Sequence, residues 1–321
     1  RSLVPVVRAT LAPLLALALA LAAPAAPVLA EDAPNYIEEM KRWQPKAEAG
    51  DAEAQFQLGQ MYALGHGFKQ NINSAIEWYE KAAAQGNAKA RIALGVLYFY
   101  GIGVEKNEGK AGEWAEKAAA QNNPLAQDLM GWIARQAKDY AAAKQWLEQA
   151  VAQDYAPAMV SMGRLYEDGA GVPQDFAKAK RWYEKGAKQK KWNAAPMLML
   201  GLLYSEGNGV EKDEKQAMEW LEKACSLNEK GSEFACTKIG RNYLDGKSGL
   251  PQDDQKAFAY AMKAAKGGNA GGALTLKALA QKGFAFPAAE KEQALEWADK
   301  FDNDEYWKRR MAEKTLESLQ D

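Results

Sequence analysis

The side chains that could carry chemistry in this sequence are many carboxylates, one histidine and two cysteines. Among 321 residues there are 42 Asp and Glu, one His and two Cys. Many of the carboxylates alternate with lysines such as Lys81, Lys117 and Lys223, a pattern typical of a solvated helix face. A glycosidase needs two carboxyl groups held about 5 to 9 Å apart across a cleft. No pair stands out among the candidates Glu77, Glu80, Glu113, Glu116, Glu219 and Glu222.

His66 cannot form a metal site or a proton relay that needs a second imidazole, because it is the only histidine. The sequence also lacks the Ser-x-x-Lys pair of penicillin-recognising enzymes and the Gly-x-Ser-x-Gly motif of hydrolases. The phosphate-binding glycine loops of nucleotide-binding proteins are absent as well. We therefore expect a non-catalytic protein with no metal and no cofactor.

The charge balance indicates which partners to exclude. The chain carries 41 basic and 42 acidic side chains, with a formal net charge of -1. Without a basic surface there is no electrostatic basis for binding nucleic acid. We expect no nucleic-acid partner.

Residues 1–30 differ in composition from the rest of the chain. Arg1 and Arg8 are their only charges, Leu and Ala dominate positions 11 to 23, and Val28-Leu29-Ala30 fits a cleavage site. These features predict a signal peptide over 1–30, removed on export. A transmembrane anchor is the alternative, but the apolar run of about 15 residues is shorter than a spanning helix needs. We expect a periplasmic or, alternatively, secreted protein with no stable membrane insertion after cleavage.

An internal period of about 36 residues is the strongest pattern in the sequence. An apolar residue followed by glycine, usually with tyrosine three residues later, recurs along the chain. We call this glycine the anchor glycine, and it stands at positions 59, 95, 131, 163, 201 and 240, with a degenerate copy at 278. Such a period is the signature of a stacked repeat protein.

Each period predicts two helices joined by a turn. The spacing of small and apolar residues is helical on both sides of a Gly-x-Gly turn, as at Gly101-Ile102-Gly103. Asn or Asp before the second helix is placed to cap it, at Asn71, Asn107, Asp175, Asp213 and Asp253. We call the two helices of a repeat helix A and helix B. The tryptophans about 19 residues after the anchor glycine (Trp78, Trp114, Trp182, Trp220) are predicted to fill the core between neighbouring repeats.

The segment from Asp51 to Gly86 contains Leu58-Gly59, Gly65-x-Gly67 and the Trp-Tyr-Glu-Lys run that ends at Lys81. With this pattern the segment resembles a Sel1-like repeat. That family is related to the tetratricopeptide repeat. The resemblance implies an all-α, right-handed α-solenoid of about seven repeats over 51–302, in an exported bacterial member of the family. Residues 31–50 and 303–321 are expected to form N-terminal and C-terminal capping helices. The resemblance also implies adaptor and scaffold work in the bacterial cell envelope.

The two cysteines, Cys225 and Cys236, stand at the end of a predicted helix B and near the start of the next helix A. An even pair in an exported chain suggests a disulfide bridge. The pair also resembles that of the cysteine-rich Sel1 relatives, whose repeats are joined by disulfides. Two buried thiols are the alternative.

Function is expected on the concave face that helices A line in tetratricopeptide superhelices. A protein or peptide partner of unknown identity is the expected ligand, and the run Val96–Tyr100 with Trp132 is expected to be an exposed apolar patch. Packing against the next repeat is the alternative role for these side chains. The predicted partner-binding residues are Phe56, Gln60, Ile92, Val96, Phe99, Tyr100, Trp132, Arg135, Arg164 and Arg241. A carbohydrate-binding solenoid, or a cell-wall hydrolase or β-lactam-binding protein, are the alternative functions.

Overall fold

The computed structural model describes residues 36–66, 71–191, 193–227 and 231–300. The predicted signal peptide (1–30) and the predicted C-terminal capping helix (303–321) lie outside the described residues.

These ranges contain fifteen α-helices and no β-strand. None of the helices is long and apolar enough to cross a membrane within the described part of the chain. The helices are α1 (Tyr36–Glu48), α2 (Ala52–Leu64), α3 (Ile72–Ala84), α4 (Ala88–Tyr100), α5 (Glu108–Ala119), α6 (Pro124–Gln136), α7 (Tyr140–Val151), α8 (Ala156–Asp168), α9 (Phe176–Ala187), α10 (Ala194–Glu206), α11 (Glu214–Ser226), α12 (Ser232–Asp245), α13 (Asp254–Lys266), α14 (Ala270–Gln281) and α15 (Lys291–Asp299).

The chain divides into two units, and the boundary falls between Ala150 and Val151. In the N-terminal unit, α1 lies within the segment predicted as the N-terminal cap and packs on α2. Helices α2–α3 and α4–α5 form helical hairpins. In the C-terminal unit, α8–α9, α10–α11, α12–α13 and α14–α15 form hairpins in the same way. The even-numbered helices from α2 to α14 are the predicted helices A.

The turn inside five of the seven hairpins follows from two local signals, a left-handed glycine after helix A and a side-chain cap before helix B. Helix α4 ends at Gly101, whose φ of 68° is left-handed and whose N–H donates to the carbonyl of Leu97. Helix α5 then begins at Asn107, whose side chain accepts a hydrogen bond from the backbone N–H of Lys110 at 2.9 Å. The predicted caps Asn71, Asp175, Asp213 and Asp253 make the equivalent bond. The predicted turn and cap positions are therefore confirmed.

At four of the six anchor glycines, Gly59, Gly131, Gly163 and Gly201, a large side chain of helix B lies directly on the glycine. A Cβ at Gly59 would lie 2.7 Å from the ring of Tyr79, and one at Gly163 would lie 2.3 Å from the ring of Tyr183. Gly131 and Gly201 face leucines of their own hairpins in the same way. Helix A and helix B therefore approach closely at one fixed level of each repeat.

The periodic tryptophans lie at the edge of the core between repeats and not at its centre. Trp78, Trp114, Trp182 and Trp220 are only partly buried, and a lysine ammonium lies over each ring, as Lys81 does over Trp78 at 3.9 Å. The neighbouring residue in sequence is the buried one, as at Tyr79 and Tyr183, which have no exposed surface. The predicted packing is confirmed for Trp78 and Trp220, which contact core clusters that include residues of the preceding repeat or helix. The fully buried position is nevertheless the next one in sequence, because that side chain faces the anchor glycine.

Candidate functional site

The predicted partner-binding residues are more buried than expected. Seven of them are buried, namely Phe56, Gln60, Ile92, Val96, Phe99, Trp132 and Arg164. Tyr100 and Arg135 are partly exposed, and Arg241 is exposed. The expectation that Val96–Tyr100 and Trp132 form an open apolar patch is therefore wrong.

The reason lies in the composition of the helices A. After Arg91, helix α4 consists only of apolar or aromatic residues and one glycine, and a helix of that kind is buried on more than one face. Within it Ile92, Leu94, Val96 and Leu97 keep at most 2% of their surface exposed. Phe56 on α2 packs towards helix B instead, with its ring centroid 5.7 Å from that of Tyr79. Phe56, Ile92 and Val96 are thus parts of the core.

Three of the predicted residues do come together in the N-terminal unit. Phe99 and Tyr100 at the end of α4 meet Trp132 of α6, and we call these three residues the aromatic cluster. The ring centroids are 4.3 Å apart for Phe99 and Trp132, 5.2 Å for Phe99 and Tyr100, and 5.7 Å for Tyr100 and Trp132. The Lys106 ammonium lies 5.5 Å from the Phe99 ring and pairs with Glu108 at 2.7 Å.

Polar atoms of this cluster are enclosed without a hydrogen-bond partner. In the described part of the chain, neither the Tyr100 hydroxyl nor the Trp132 indole N–H is hydrogen bonded. The side-chain amide nitrogen of Gln60 is also buried without a hydrogen-bond partner in the described chain. Gln60 and Trp132 each directly follow an anchor glycine. Most buried polar groups in folded proteins are paired, so three unpaired donors on helices A require an explanation.

In the C-terminal unit the predicted Arg164 lies in a buried polar cluster. The Tyr183 hydroxyl donates to a carboxylate oxygen of Glu167 at 2.5 Å. Burial raises the pKa of Glu167, while the Tyr183 hydrogen bond and the nearby Arg164 charge act in the opposite direction. Burial also raises the pKa of Tyr183. Arg241 is not part of this cluster and is exposed on α12.

The cysteines form the predicted bridge in the structure. The Cys225 and Cys236 sulfurs are bonded at 2.00 Å, and both residues are buried. The bridge joins the end of α11 to α12, across a short linker between two successive repeats. It leaves no free cysteine in the described chain.

Within residues 36–66, 71–191, 193–227 and 231–300, no group of three or more His, Cys, Asp or Glu side chains could hold a metal ion. His66 lies against the ring of Tyr36, with centroids 3.9 Å apart, at the start of the repeat region.

Sequence reasoning did not identify the Glu167–Tyr183 pair or the tyrosines that face the anchor glycines. A usable signal was present, since Tyr79 and Tyr183 both stand 20 residues after an anchor glycine. A large residue at a fixed distance from a periodic glycine indicates that the two are in contact. The periodic tryptophan one position earlier obscured this signal.

Comparison with known proteins identifies the repeats. The model of the Sel1 repeat matches residues 52–87, 88–123, 126–155, 156–191, 197–229 and 234–269. The seventh hairpin, α14–α15, has no match to this model, although α14 and α15 pack together as in the other repeats. Among curated proteins, no significant match was found.

Solved structures agree with the family match. A Sel1 repeat protein from Oxalobacter formigenes is 31% identical over 72% of this chain and 94% of its own, with a TM-score of 0.58. The protein c5321, described as a protective antigen of uropathogenic Escherichia coli with an SLR fold, is 30% identical with a TM-score of 0.51. That match covers 82% of this chain but only 56% of c5321.

The immunity protein Pa5087 of Pseudomonas aeruginosa is 21% identical over 67% of this chain and 81% of its own, with a TM-score of 0.52, and shows the fold alone. The predicted all-α repeat solenoid and the resemblance drawn from Asp51–Gly86 are thus confirmed. Six matched repeats and a 31% identical relative establish that the chain belongs to the Sel1 repeat family.

Proposed function

We propose that this protein is a non-catalytic adaptor of the bacterial cell envelope that binds a protein partner through its helices A. Sel1 repeat proteins generally act by binding other proteins and generally serve as non-catalytic scaffolds. The partner-binding part of the proposal centres on the N-terminal unit, where α4 and α6 carry the aromatic cluster.

One observation supports this location above the others. The helices A of the N-terminal unit hold the buried donors of Gln60, Tyr100 and Trp132 without acceptors in the described chain. Unpaired buried donors are costly for folding alone, so a ligand that supplies acceptors explains their retention. Tyr100 and Arg135 remain partly exposed beside them and offer the type of side chain that anchors protein interfaces.

The envelope location is supported by the disulfide, by the predicted signal peptide and by the similarity to a protein described as a protective antigen. Disulfides persist in oxidising compartments such as the periplasm. We accordingly place the protein in the periplasm, with secretion as the alternative.

The proposal is tested by site-specific photo-crosslinking in cells that export the protein. A benzophenone side chain is placed at Arg135 on α6 and, as the matched control, at the exposed Glu113 of α5, a helix B. We expect a protein crosslink from position 135 that is absent from position 113. Crosslinks only from position 113, or retention of peptidoglycan with no protein crosslink from either, would contradict the proposal.

A further inference from the structure

The net charge of -1 conceals a strong local excess of cations on α9 and the turn that follows it. Between Phe176 and the end of that turn at position 191, the chain carries seven lysine and arginine side chains and one carboxylate, Glu184. One of these cations, Lys180, is half-buried and pairs with Glu184 at 3.6 Å. The other six are exposed, and we call them the basic face. They are Lys178, Arg181, Lys185, Lys188, Lys190 and Lys191.

Helical periodicity places four of these six cations on one side of α9. Their spacing from Lys178 to Lys188 is three, four and three residues, which keeps them within about 80° of arc and along about 15 Å of helix. The buried residues of α9 lie on the opposite side. Lys190 and Lys191 stand in the turn and continue the positive charge beyond the end of the helix.

Few of these charges are neutralised by a neighbouring carboxylate. Lys178 pairs with Asp175 at 3.4 Å. Within the described part of the chain, the other five members of the basic face form no ion pair. The basic face therefore presents a concentrated positive charge to the solvent.

The other repeats show that the fold does not require this charge. Arg181 directly precedes a periodic tryptophan, and four other helices B have glutamate at that position. These residues are Glu77, Glu113, Glu219 and Glu296. The first three repeats have alanine at the position of Lys188. Helix α9 nevertheless packs on its helix A as the other helices B do, so the cations are not needed for packing.

The turn after α9 also differs from its equivalents. It is longer than every other connection from a helix B to the next helix A among the described helices, and Lys190 and Lys191 are part of it. Reversed charge on the helix and added lysines in the turn thus occur together in one repeat. Their combination indicates a surface with a role of its own.

We propose that the basic face binds the surface of a bilayer that contains anionic phospholipids, so that the C-terminal unit attaches the protein peripherally to a membrane. The attachment is electrostatic, between lipid headgroups and the exposed ammonium and guanidinium groups. This inference goes beyond the proposed adaptor function and does not depend on it, because the basic face lies on a helix B and not on the helices A.

The type of cation favours lipid headgroups over an acidic protein segment or a nucleic acid. Five of the six cations are lysines, whose ammonium is a compact point charge. Recognition of single carboxylates and of nucleic-acid phosphates uses the bidentate arginine fork more often. The predicted export of the chain also separates it from nucleic acid.

The shape of the basic face favours a flat array of charges. Its cations lie in a row along one exposed helix side and not around a cleft. A bilayer surface can contact the whole row at once, and each lysine or arginine near anionic headgroups adds to the binding.

The test measures co-sedimentation with vesicles, using protein purified from cells that export it. Vesicles of phosphatidylglycerol and phosphatidylcholine in equal parts present an anionic surface, and vesicles of phosphatidylcholine alone present a neutral one. We expect binding to the anionic vesicles only. Raising the salt concentration should weaken that binding, because salt screens the attraction between lysines and headgroups.

The triple variant Arg181→Gln/Lys188→Gln/Lys191→Gln removes half of the basic face. One cation near an anionic surface changes the affinity by about fivefold, so we expect about a hundredfold weaker binding to the anionic vesicles. The melting temperature should stay unchanged, because all three side chains are exposed.

Lys215→Gln/Lys223→Gln/Lys263→Gln is the matched control. It makes the same change in net charge, at three exposed lysines on α11 and α13 of the same unit. We expect this control to bind the anionic vesicles nearly as the wild type does.

Several results would overturn the inference. These are equal binding to neutral and anionic vesicles, no binding to either, or equal weakening in the two triple variants. Tighter binding to poly-aspartate or to duplex DNA than to the anionic vesicles at the same salt concentration would also overturn it, since the basic face would then belong to another class of partner. The crosslink from position 135 is a separate readout. Its presence without vesicle binding would reject the membrane attachment and leave the adaptor function standing.

Discussion

At the scale of single residues, the anchor glycine and the residue pressed against it determine how closely the two helices of a repeat approach. The Tyr183 ring of α9 lies against Gly163 of α8. The Tyr183 hydroxyl donates a hydrogen bond to Glu167, which lies one turn further along α8. The Tyr183 side chain therefore explains why α8 has glycine at position 163, and its hydroxyl pairs with the half-buried Glu167 carboxylate of the same helix. Substitutions at these positions separate the two effects.

Replacing Gly163 with alanine should destabilise the C-terminal unit. The new Cβ would lie 2.3 Å from the Tyr183 ring, so the two helices must move apart, at a cost of about 1 to 3 kcal/mol. Gly112→Ala in α5 is the control, since its Cβ would meet nothing within 4 Å and alanine favours the helix by about 0.5 to 1 kcal/mol. Urea denaturation measures both variants, and equal effects of the same sign would contradict the close-approach interpretation.

The Glu167 carboxyl should make the stability of the C-terminal unit depend on pH. Burial raises its pKa in the folded protein, so the folded state binds this proton more tightly than the unfolded state. Stability from this group is therefore lost as the pH rises from the ordinary carboxyl pKa of about 4.3 through the raised value. Glu167→Gln carries no such proton, and its stability relative to the wild type should increase across that interval.

Chemical denaturation at a series of pH values between about 4 and 8 measures this difference. Glu222→Gln, at an exposed carboxylate of α11, is the control and should follow the wild-type curve. A constant difference between Glu167→Gln and the wild type at every pH would show that burial does not perturb the Glu167 carboxyl.

At the scale of elements, six of the seven helices B, all except α15, have a side-chain cap at the first turn. The Asp213 carboxylate accepts a hydrogen bond from the backbone N–H of Gln216 at 2.9 Å at the start of α11. Asp213→Ala leaves this N–H without its acceptor and should cost about 1 kcal/mol. Asp213→Asn keeps an acceptor and should cost much less, and thermal unfolding distinguishes the two variants. Equal losses would mean that charge, and not capping, is what Asp213 contributes.

The sequence predicted the elements well because their signals are local and repeated. The Gly-x-Gly turn, the Asn or Asp cap and the period of the anchor glycine each depend on a few neighbouring residues, and all appear in the structure. The third repeat, which lacks the glycine turn, still forms a hairpin through Lys138 at a φ of 62° and an Asp139 cap on Ala142. Recurrence of the same signals along the chain made the fold class predictable.

The site was less predictable because exposure depends on how neighbouring helices pack. Val96 and Phe99 were assigned to an open face, but both are buried in α4. The periodic Trp78 packs at the edge of the core as expected, while the neighbouring Tyr79 fills the fully buried position. Both outcomes depend on the direction in which a side chain points, which a repeat period alone does not determine to within one residue.

At the scale of the whole molecule, a repeat protein is stabilised mainly by contacts between neighbours in sequence. A change in one repeat should therefore weaken that repeat and those beside it, and its effect should fade along the chain. The Cys225–Cys236 bridge offers a direct test because it joins two successive repeats of the C-terminal unit.

Replacing both cysteines with alanine removes a short covalent loop, whose closure stabilises by about 3 kcal/mol in the chain-entropy model. We expect hydrogen exchange to accelerate in α11 and α12 first, then in α10 and α13, and to remain at wild-type rates in α2–α4. Reductant should reproduce this pattern in the wild type and have no further effect on the double variant. Uniform acceleration from α2 to α14 would instead mean that the chain unfolds as one cooperative body, with the bridge stabilising all repeats equally.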